Sequence, residues 1–157
     1  MESSSLLWVL AVFSAGLAAG QMLGEFLLLG PFQSWFFETG NSEIFRKSYV
    51  QFRKTKKAAR IFNAVYINAI LAGIAHAVLL LFIGKFGVLS VVAIVLQWLF
   101  LLVFYGSGFA KLEHKIFDGD TSKELADKFR SMNVPYLGIY ALLWCASFCI
   151  LLFMRVQ

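Results

Sequence analysis

Four apolar runs divide the chain, and each approaches or exceeds the roughly 20 residues that an α-helix needs to cross a hydrocarbon core. They lie at about residues 6–29, 59–83, 87–109 and 134–154. Gly30-Pro31 is predicted to close the first run, and Gly84-Lys85-Phe86 leaves room only for a tight hairpin between the second and third. The pattern predicts an all-α polytopic membrane protein, a single domain folded as an antiparallel bundle of four transmembrane helices.

Two longer polar segments, at about residues 38–58 and 110–133, connect these runs. In the first, large apolar residues interrupt a basic sequence, which is typical of an amphipathic helix lying on a membrane surface. In the second, a short apolar stripe is followed by Pro135, which is predicted to separate a loop helix from the last span. Short amphipathic helices are therefore expected in both loops.

The composition of the chain fits a membrane protein. Of its 157 residues 60% are hydrophobic and 15% charged, and the mean hydropathy of +0.76 is too high for a water-soluble domain of this length. The net charge of +5 lies between the hydrophobic spans, so anionic lipid headgroups rather than nucleic acid are the expected partner. Six cations of the first loop are predicted to contact headgroups: Arg46, Lys47, Arg53, Lys54, Lys56 and Lys57.

Lys and Arg are distributed unequally between the two sides of the predicted bundle. The first loop, extended to the start of the second span, carries seven and the third loop carries five. The opposite side carries only Lys85 and Arg155. Because cytoplasmic loops are enriched in Lys and Arg, both termini of this multi-pass protein are predicted to be non-cytoplasmic.

The first helix carries the most distinctive pattern. Gly16, Gly20 and Gly24 repeat at four-residue spacing and predict a face without side chains, where another helix packs closely. Gln21 and Glu25 flank that face. An ionisable residue inside a span is costly unless it is paired, hydrated or able to reach the interface, so Glu25 is either a candidate catalytic residue or a partner for a loop cation.

Polar and aromatic residues of the other helices are predicted to meet Glu25 in the cytoplasmic half of the bundle. Aromatic walls with a few polar groups are typical of ligand cavities, although interfacial tyrosines are also ordinary membrane anchors. His76 lies nearer the opposite face, as a second catalytic candidate or as a hydrogen-bonded structural residue. The predicted ligand pocket comprises Gln21, Asn63, Tyr66, Asn68, Gln97, Tyr105 and Tyr140.

Other side chains with possible chemistry form no motif. Cys145 and Cys149 lie one helical turn apart inside the last apolar run and are interpreted as packing residues. The two histidines are predicted to lie at different depths, which argues against haem held between them. No metal and no cofactor is therefore expected.

The four spans, the glycine-rich first helix with its Gly30-Pro31 exit and the basic aromatic first loop leading to Asn63 and Asn68 resemble the anthrone-oxygenase-like family of small membrane proteins. Some members of that family oxygenate anthrones to anthraquinones without an evident metal or flavin. The resemblance implies that Glu25 or His76 removes a proton from an acidic aromatic carbon and that the carbanion attacks O2. Tyr and Asn groups would hold the phenolate.

Three classes of function stay open on the sequence. An accessory or assembly subunit of a membrane complex fits the small size, the glycine repeat and the lack of a motif. Its expected protein partners are other membrane subunits or further copies of the chain in a homo-oligomer. A small-molecule enzyme fits the polar groups gathered at one depth. A carrier or channel component is the third class, and the sequence does not decide whether the chain is an enzyme.

Overall fold

A computed structural model describes residues 3–120 and 122–154 of the chain. Within these residues it consists of helices and turns, without a β-strand. Four helical segments are long and apolar enough to cross a membrane: Ser5–Glu38, Arg60–Phe82, Val88–Gly106 and Lys123–Phe153. The prediction of an all-α bundle with four spanning helices is confirmed.

The first span does not end at Gly30-Pro31. Helix α1 (Ser3–Gly24) passes into a π-helical turn (Glu25–Leu29) and then into α2 (Gly30–Glu38). In a regular α-helix a proline lacks one hydrogen bond and its ring collides with the carbonyl four residues earlier. The wider turn ahead of Pro31 relieves that conflict, so the helix continues where the sequence predicts a stop.

The first long connection folds back as an arm, residues 42–56. It consists of α3 (Ser42–Phe45), a second π-helical turn (Arg46–Val50) and α4 (Gln51–Lys56). Phe45 and Val50 are buried, whereas Ile44 and Phe52 are each 55% exposed. The arm is thus amphipathic, but it is a broken helix whose inner face packs against protein.

Three further spans and one loop helix complete the bundle. Lys57, with a left-handed backbone (φ 52°), separates α4 from α5 (Ala58–Phe82). Helix α6 (Val88–Gly106) and the loop helix α7 (Phe109–Asp118) precede α8 (Lys123–Phe153). The loop helix predicted before Pro135 is the first part of α8, which continues through the proline. Pro135 is exposed, and the buried Leu137 that follows holds the helix against its neighbours.

Alanine, more than glycine, forms the buried face of α1, which packs against α5 and α8. A Cβ at Gly16 would lie 3.1 Å from the Phe148 ring, but one at Gly20 or Gly24 would meet no atom within 4 Å. Of the three predicted packing glycines, only Gly16 therefore lies at a helix contact within the chain. The fully buried positions of this face are Ala11, Ala15 and Ala18.

The shortest contact at any glycine of the described residues lies outside that repeat. A Cβ at Gly30 would lie 2.5 Å from Leu137 Cδ1 and 3.1 Å from the Glu25 carbonyl oxygen. A larger residue there would require the Leu137 side chain to shift. This contact fixes the π-helical turn, and with it Glu25, against the last helix.

Candidate functional site

A cavity of about 180 Å³ lies at the end of the bundle that carries the two long connections, hereafter the loop end. This volume is similar to the ~150 Å³ of an engineered cavity that binds benzene, so the space suits a molecule with one ring. Seven of the 19 lining residues are aromatic, with Phe62, Phe100, Phe104 and Phe109 among them. Polar groups reach the cavity from all four spans, the arm and α7: Glu25, Gln33, Arg53, Asn63, Tyr66, Tyr105, Glu113, Asn133 and Tyr140.

Glu25, the first residue of the π-helical turn, is an acidic group inside the first span. Its Oε1 accepts a hydrogen bond from Gln21 Nε2 at 3.1 Å. Gln21 thus positions the carboxylate from one turn earlier and does not line the cavity itself. The other polar neighbours of this carboxylate are Tyr66 and Arg53.

Arg53 points into the protein, contrary to the prediction that it contacts lipid headgroups. Its guanidinium carbon lies 3.7 Å from the centroid of the Phe117 ring, and Nη1 lies 3.8 Å from Glu113 Oε1. The two charged side chains are only 15% and 23% exposed. Arg53 differs from its basic neighbours because the arm turns this side toward α7. The other five predicted headgroup cations are exposed: Arg46, Lys47, Lys54, Lys56 and Lys57.

Glu113 is a cavity residue that the sequence reasoning missed. It stands among charged residues of α7, but four residues after Phe109 and three before Ile116, which are both buried. That helical spacing was the available signal that Glu113 lies at the edge of the inner face. Burial raises the pKa of the Glu113 carboxyl to about 7, opposed by the Arg53 guanidinium and reinforced by the carboxylate of Glu25.

Two buried tyrosine hydroxyls at the cavity are poorly satisfied. Tyr66 is 7% exposed and Tyr140 is 1% exposed, and neither hydroxyl makes a hydrogen bond of regular geometry within the described residues. Glu25 lies beside the Tyr66 hydroxyl, and Ser107 lies beside that of Tyr140. The Phe100 ring centroid lies 5.2 Å from that of each tyrosine, so the three rings form one wall. A buried polar group without a partner costs about 1–3 kcal/mol. A guest in the cavity can supply the missing bonds.

A hydrogen-bond network holds the helices around the cavity in place. Asn133 Nδ2 donates to the Gly30 carbonyl oxygen at 3.1 Å and to Gln33 Oε1 at 3.3 Å. Gln33 Nε2 in turn donates to Tyr49 Oη at 2.8 Å. The network therefore links α8, α2 and the arm, and these polar groups are satisfied by protein.

The structure gathers most of the predicted site residues but not all. Asn68 follows Tyr66 by two positions, about 200° around the helix, and is exposed away from the cavity. His76 is ten positions and about 15 Å further along α5, buried at 1% exposure with Nε2 unpartnered within the described residues. The predicted residues that line the cavity are Glu25, Asn63, Tyr66, Tyr105 and Tyr140.

Gln97 belongs to a separate polar contact between helices, hereafter the Gln97 layer, formed by Gln97, Ser147, Ala93 and Gly73. Gln97 Nε2 donates to Ser147 Oγ at 3.1 Å, and Ser147 Oγ donates to the Ala93 carbonyl oxygen at 3.2 Å. A Cβ at Gly73 would lie 2.7 Å from Gln97 Oε1, so α5 packs directly on this amide. The Gln97 layer is closely packed and lies outside the lining of the cavity.

No protein-family model, curated protein or solved structure matches the chain. The resemblance to the anthrone-oxygenase-like family stays a prediction. The expected lipid partners, partner subunits and homo-oligomer also stay predictions.

Proposed function

We propose that this protein binds a small molecule in the loop-end cavity, with an apolar part of about one ring and one polar group. The observation that carries the proposal is the combination of aromatic walls, the Glu25 carboxylate and two buried hydroxyls without partners in one space. Interior packing alone normally leaves most buried polar groups paired, as Gln97 Nε2 and the Ser147 hydroxyl are. Gln97 Oε1 has no partner within the described residues, but it packs against Gly73 without space for a guest. Unpaired hydroxyls beside an open space, as at the cavity, are better explained by a ligand.

The unequal distribution of cations gives the proposal an orientation. Twelve of the fourteen Lys and Arg residues lie on the loop side in the sequence, so the loop end faces the cytoplasm in this proposal. The exposed cations of the arm then contact anionic headgroups of that leaflet. The ligand enters from the cytoplasm or from the inner half of the bilayer.

Blocking the cavity tests the proposal. Leu101 lines the cavity, whereas the next residue, Leu102, is 67% exposed on the outer side of the same helix. Leu101→Trp fills the space, and Leu102→Trp is a matched control with the same change in size. The measurement is 19F NMR of 4-fluorobenzyl alcohol with each purified protein in detergent.

We expect the fluorine signal to broaden and shift saturably with the parent chain and Leu102→Trp, and to stay unchanged with Leu101→Trp. A probe that binds none of the three proteins, or that binds Leu101→Trp as well as Leu102→Trp, contradicts the proposal. Size-exclusion profiles of both variants verify that each remains a monodisperse, folded protein.

An enzyme that deprotonates its ligand is the second candidate. The observation that favours it is the meeting of Glu25 with the hydroxyls of Tyr66 and Tyr140, a general base beside two groups that can hold a phenolate. His76, the other predicted base, lies elsewhere. Oxygen consumption with anthrone should therefore be lost in Glu25→Gln and kept in His76→Gln. Unchanged consumption in Glu25→Gln would remove this residue from the mechanism.

A further inference from the structure

The charges at the cavity do not balance. Glu25 and Glu113 bring two carboxyl groups to its lining and Arg53 brings one guanidinium. With both carboxyls ionised, one negative charge is left without a counterion in the lining. An ionised side chain away from water requires a partner or a proton, so this excess charge is costly without a further cation.

Glu25 is the carboxylate that lacks a counterion. Arg53 is held 3.8 Å from Glu113 Oε1 and rests on the Phe117 ring, so its guanidinium is already engaged. Glu25 has a hydrogen bond from the neutral amide of Gln21 but no ion pair within 4.0 Å among the described residues. The carboxylate is therefore positioned and at the same time lacks a counterion.

The rest of the lining suits a cation. Faces of aromatic rings attract positive charge, and Tyr66, Phe100, Phe104 and Tyr140 surround the space beside Glu25. The unpartnered hydroxyl oxygens of Tyr66 and Tyr140 can each accept a hydrogen bond from an N–H group. A primary ammonium has three such donors, which matches one carboxylate and two hydroxyls.

We infer that the ligand of the loop-end cavity is a small organic cation, an ammonium carried on a single-ring or similarly sized apolar group. This inference rests on the proposed function and adds the charge of the ligand to it. Glu25 binds the ammonium, Tyr66 and Tyr140 accept its remaining N–H bonds, and the phenylalanine rings cover the apolar group. The ion pair between Arg53 and Glu113 remains formed beside the bound ligand, and the charge of Arg53 disfavours a second cation.

A matched series of probes tests the charge. Benzylammonium, benzyl alcohol and benzoate share a ring and differ in the charge of their polar group. Their affinities for the purified chain in detergent are measured by calorimetry in one buffer. We expect benzylammonium to bind at least about tenfold more tightly than benzyl alcohol, and benzoate to bind weakest.

Two variants assign the preference to Glu25. Glu25→Gln should remove the preference for benzylammonium and leave the affinity for benzyl alcohol within about twofold. Glu124→Gln, at an exposed position near the start of α8, is the matched control and should keep the preference. If Glu25→Gln fails to fold, Tyr66→Phe takes its place, with an expected loss of about fivefold or more for benzylammonium only.

The outcomes separate the inference from the proposed function. Equal binding of benzylammonium and benzyl alcohol, or tightest binding of benzoate through Arg53, overturns the inference and leaves the cavity as a ligand site. Retention of the preference in Glu25→Gln also overturns it. Binding of none of the three probes overturns the inference and the proposed function together.

Discussion

The loop-end cavity and the Gln97 layer are two polar regions in one apolar bundle, and they differ in the space around their polar groups. In the Gln97 layer, Gln97 Nε2 donates to the Ser147 hydroxyl, which donates to a backbone carbonyl, and Gly73 packs closely against Gln97 Oε1. At the cavity, carboxylates, a guanidinium and two hydroxyls surround an open space. In the proposed account, the layer joins helices and the cavity binds a guest.

The same comparison separates stability from binding. Removing a group that the protein itself satisfies should cost stability, because its partner is left buried and unpaired. Removing a group that only a guest satisfies should cost binding and little stability. Arg53 belongs to both classes, since it pairs with Glu113 and also lines the cavity.

The largest effect is expected for Arg53→Met. This change leaves the Glu113 carboxylate without its cation in a largely buried position, and should lower the free energy of unfolding by about 3 kcal/mol. Arg46→Met is the matched control, since Arg46 is exposed and its ion pair with Glu43 lies at the surface. It should change stability little.

Thermal unfolding in detergent, followed by intrinsic fluorescence, measures both Arg variants. The double variant Arg53→Met with Glu113→Gln should recover most of the lost stability, because no buried carboxylate is then left unpaired. If Arg53→Met lowers the free energy of unfolding no more than Arg46→Met does, the account of the buried ion pair is wrong.

The next effect is a dependence of stability on pH. Because the folded-state pKa of Glu113 is raised from 4.5 to about 7, the folded protein binds more protons than the unfolded chain between these values. Stability should therefore fall as pH rises from 4.5 to about 7, by about 2–3 kcal/mol for this group. Glu25, Arg53 and His114 are the charged groups that modulate the shift.

Glu113→Gln should flatten this profile, which thermal unfolding across the same pH range measures. Glu43 provides the opposite case, because Arg46 lowers its pKa to about 2. Stability from Glu43 should be lost as pH falls below 4.5, and Glu43→Gln should leave the fall toward neutral pH intact. A Glu113→Gln profile as steep as that of the parent chain would contradict the assignment.

A smaller loss of stability is expected for a substitution in the Gln97 layer. Gln97→Leu removes the hydrogen bond to Ser147 and should lower the free energy of unfolding by about 1 kcal/mol. Binding of 4-fluorobenzyl alcohol should be unchanged, since Gln97 lies outside the cavity lining. Loss of binding without loss of stability would mean that the layer and the cavity are not separate regions.

The smallest change in stability is expected for Tyr66→Phe, within about 0.5 kcal/mol of the parent chain. The deleted hydroxyl makes no hydrogen bond of regular geometry within the described residues, so the folded protein loses little. Binding of benzylammonium should nevertheless weaken. A stability loss as large as that of Gln97→Leu would show that the hydroxyl is bonded within the protein.

The sequence predicts the spans well, because apolar length alone decides what can cross a membrane. It predicts their ends less well, since proline was expected to stop the helix at Pro31 and to interrupt it at Pro135. A π-helical turn accommodates the first proline, and packing beyond the second keeps α8 continuous. Neither tertiary effect is visible in local propensity.

The cavity was partly predictable for a similar reason. Depth along each helix follows from counting residues, and Glu25 and Tyr66, which this count places at one level, both line the cavity. The angular position of a residue around the helix matters equally, and at its angular position Asn68 faces away from the cavity. Arg53 belongs to the arm and Glu113 to α7. Counting residues along a span cannot predict how these two elements pack on the bundle.

Crystallography with 4-bromobenzylammonium tests the central claim most directly, because bromine is located by anomalous scattering without interpretation of weak density. The account predicts a bromine peak inside the loop-end cavity, near Phe104, with the ammonium in hydrogen-bonding distance of the Glu25 carboxylate. A second groove, apolar and lined by Trp8, Phe13, Gly16 and Phe148, provides an internal comparison on the outer surface of α1. A bromine peak confined to that groove, with the cavity unoccupied, would contradict the account.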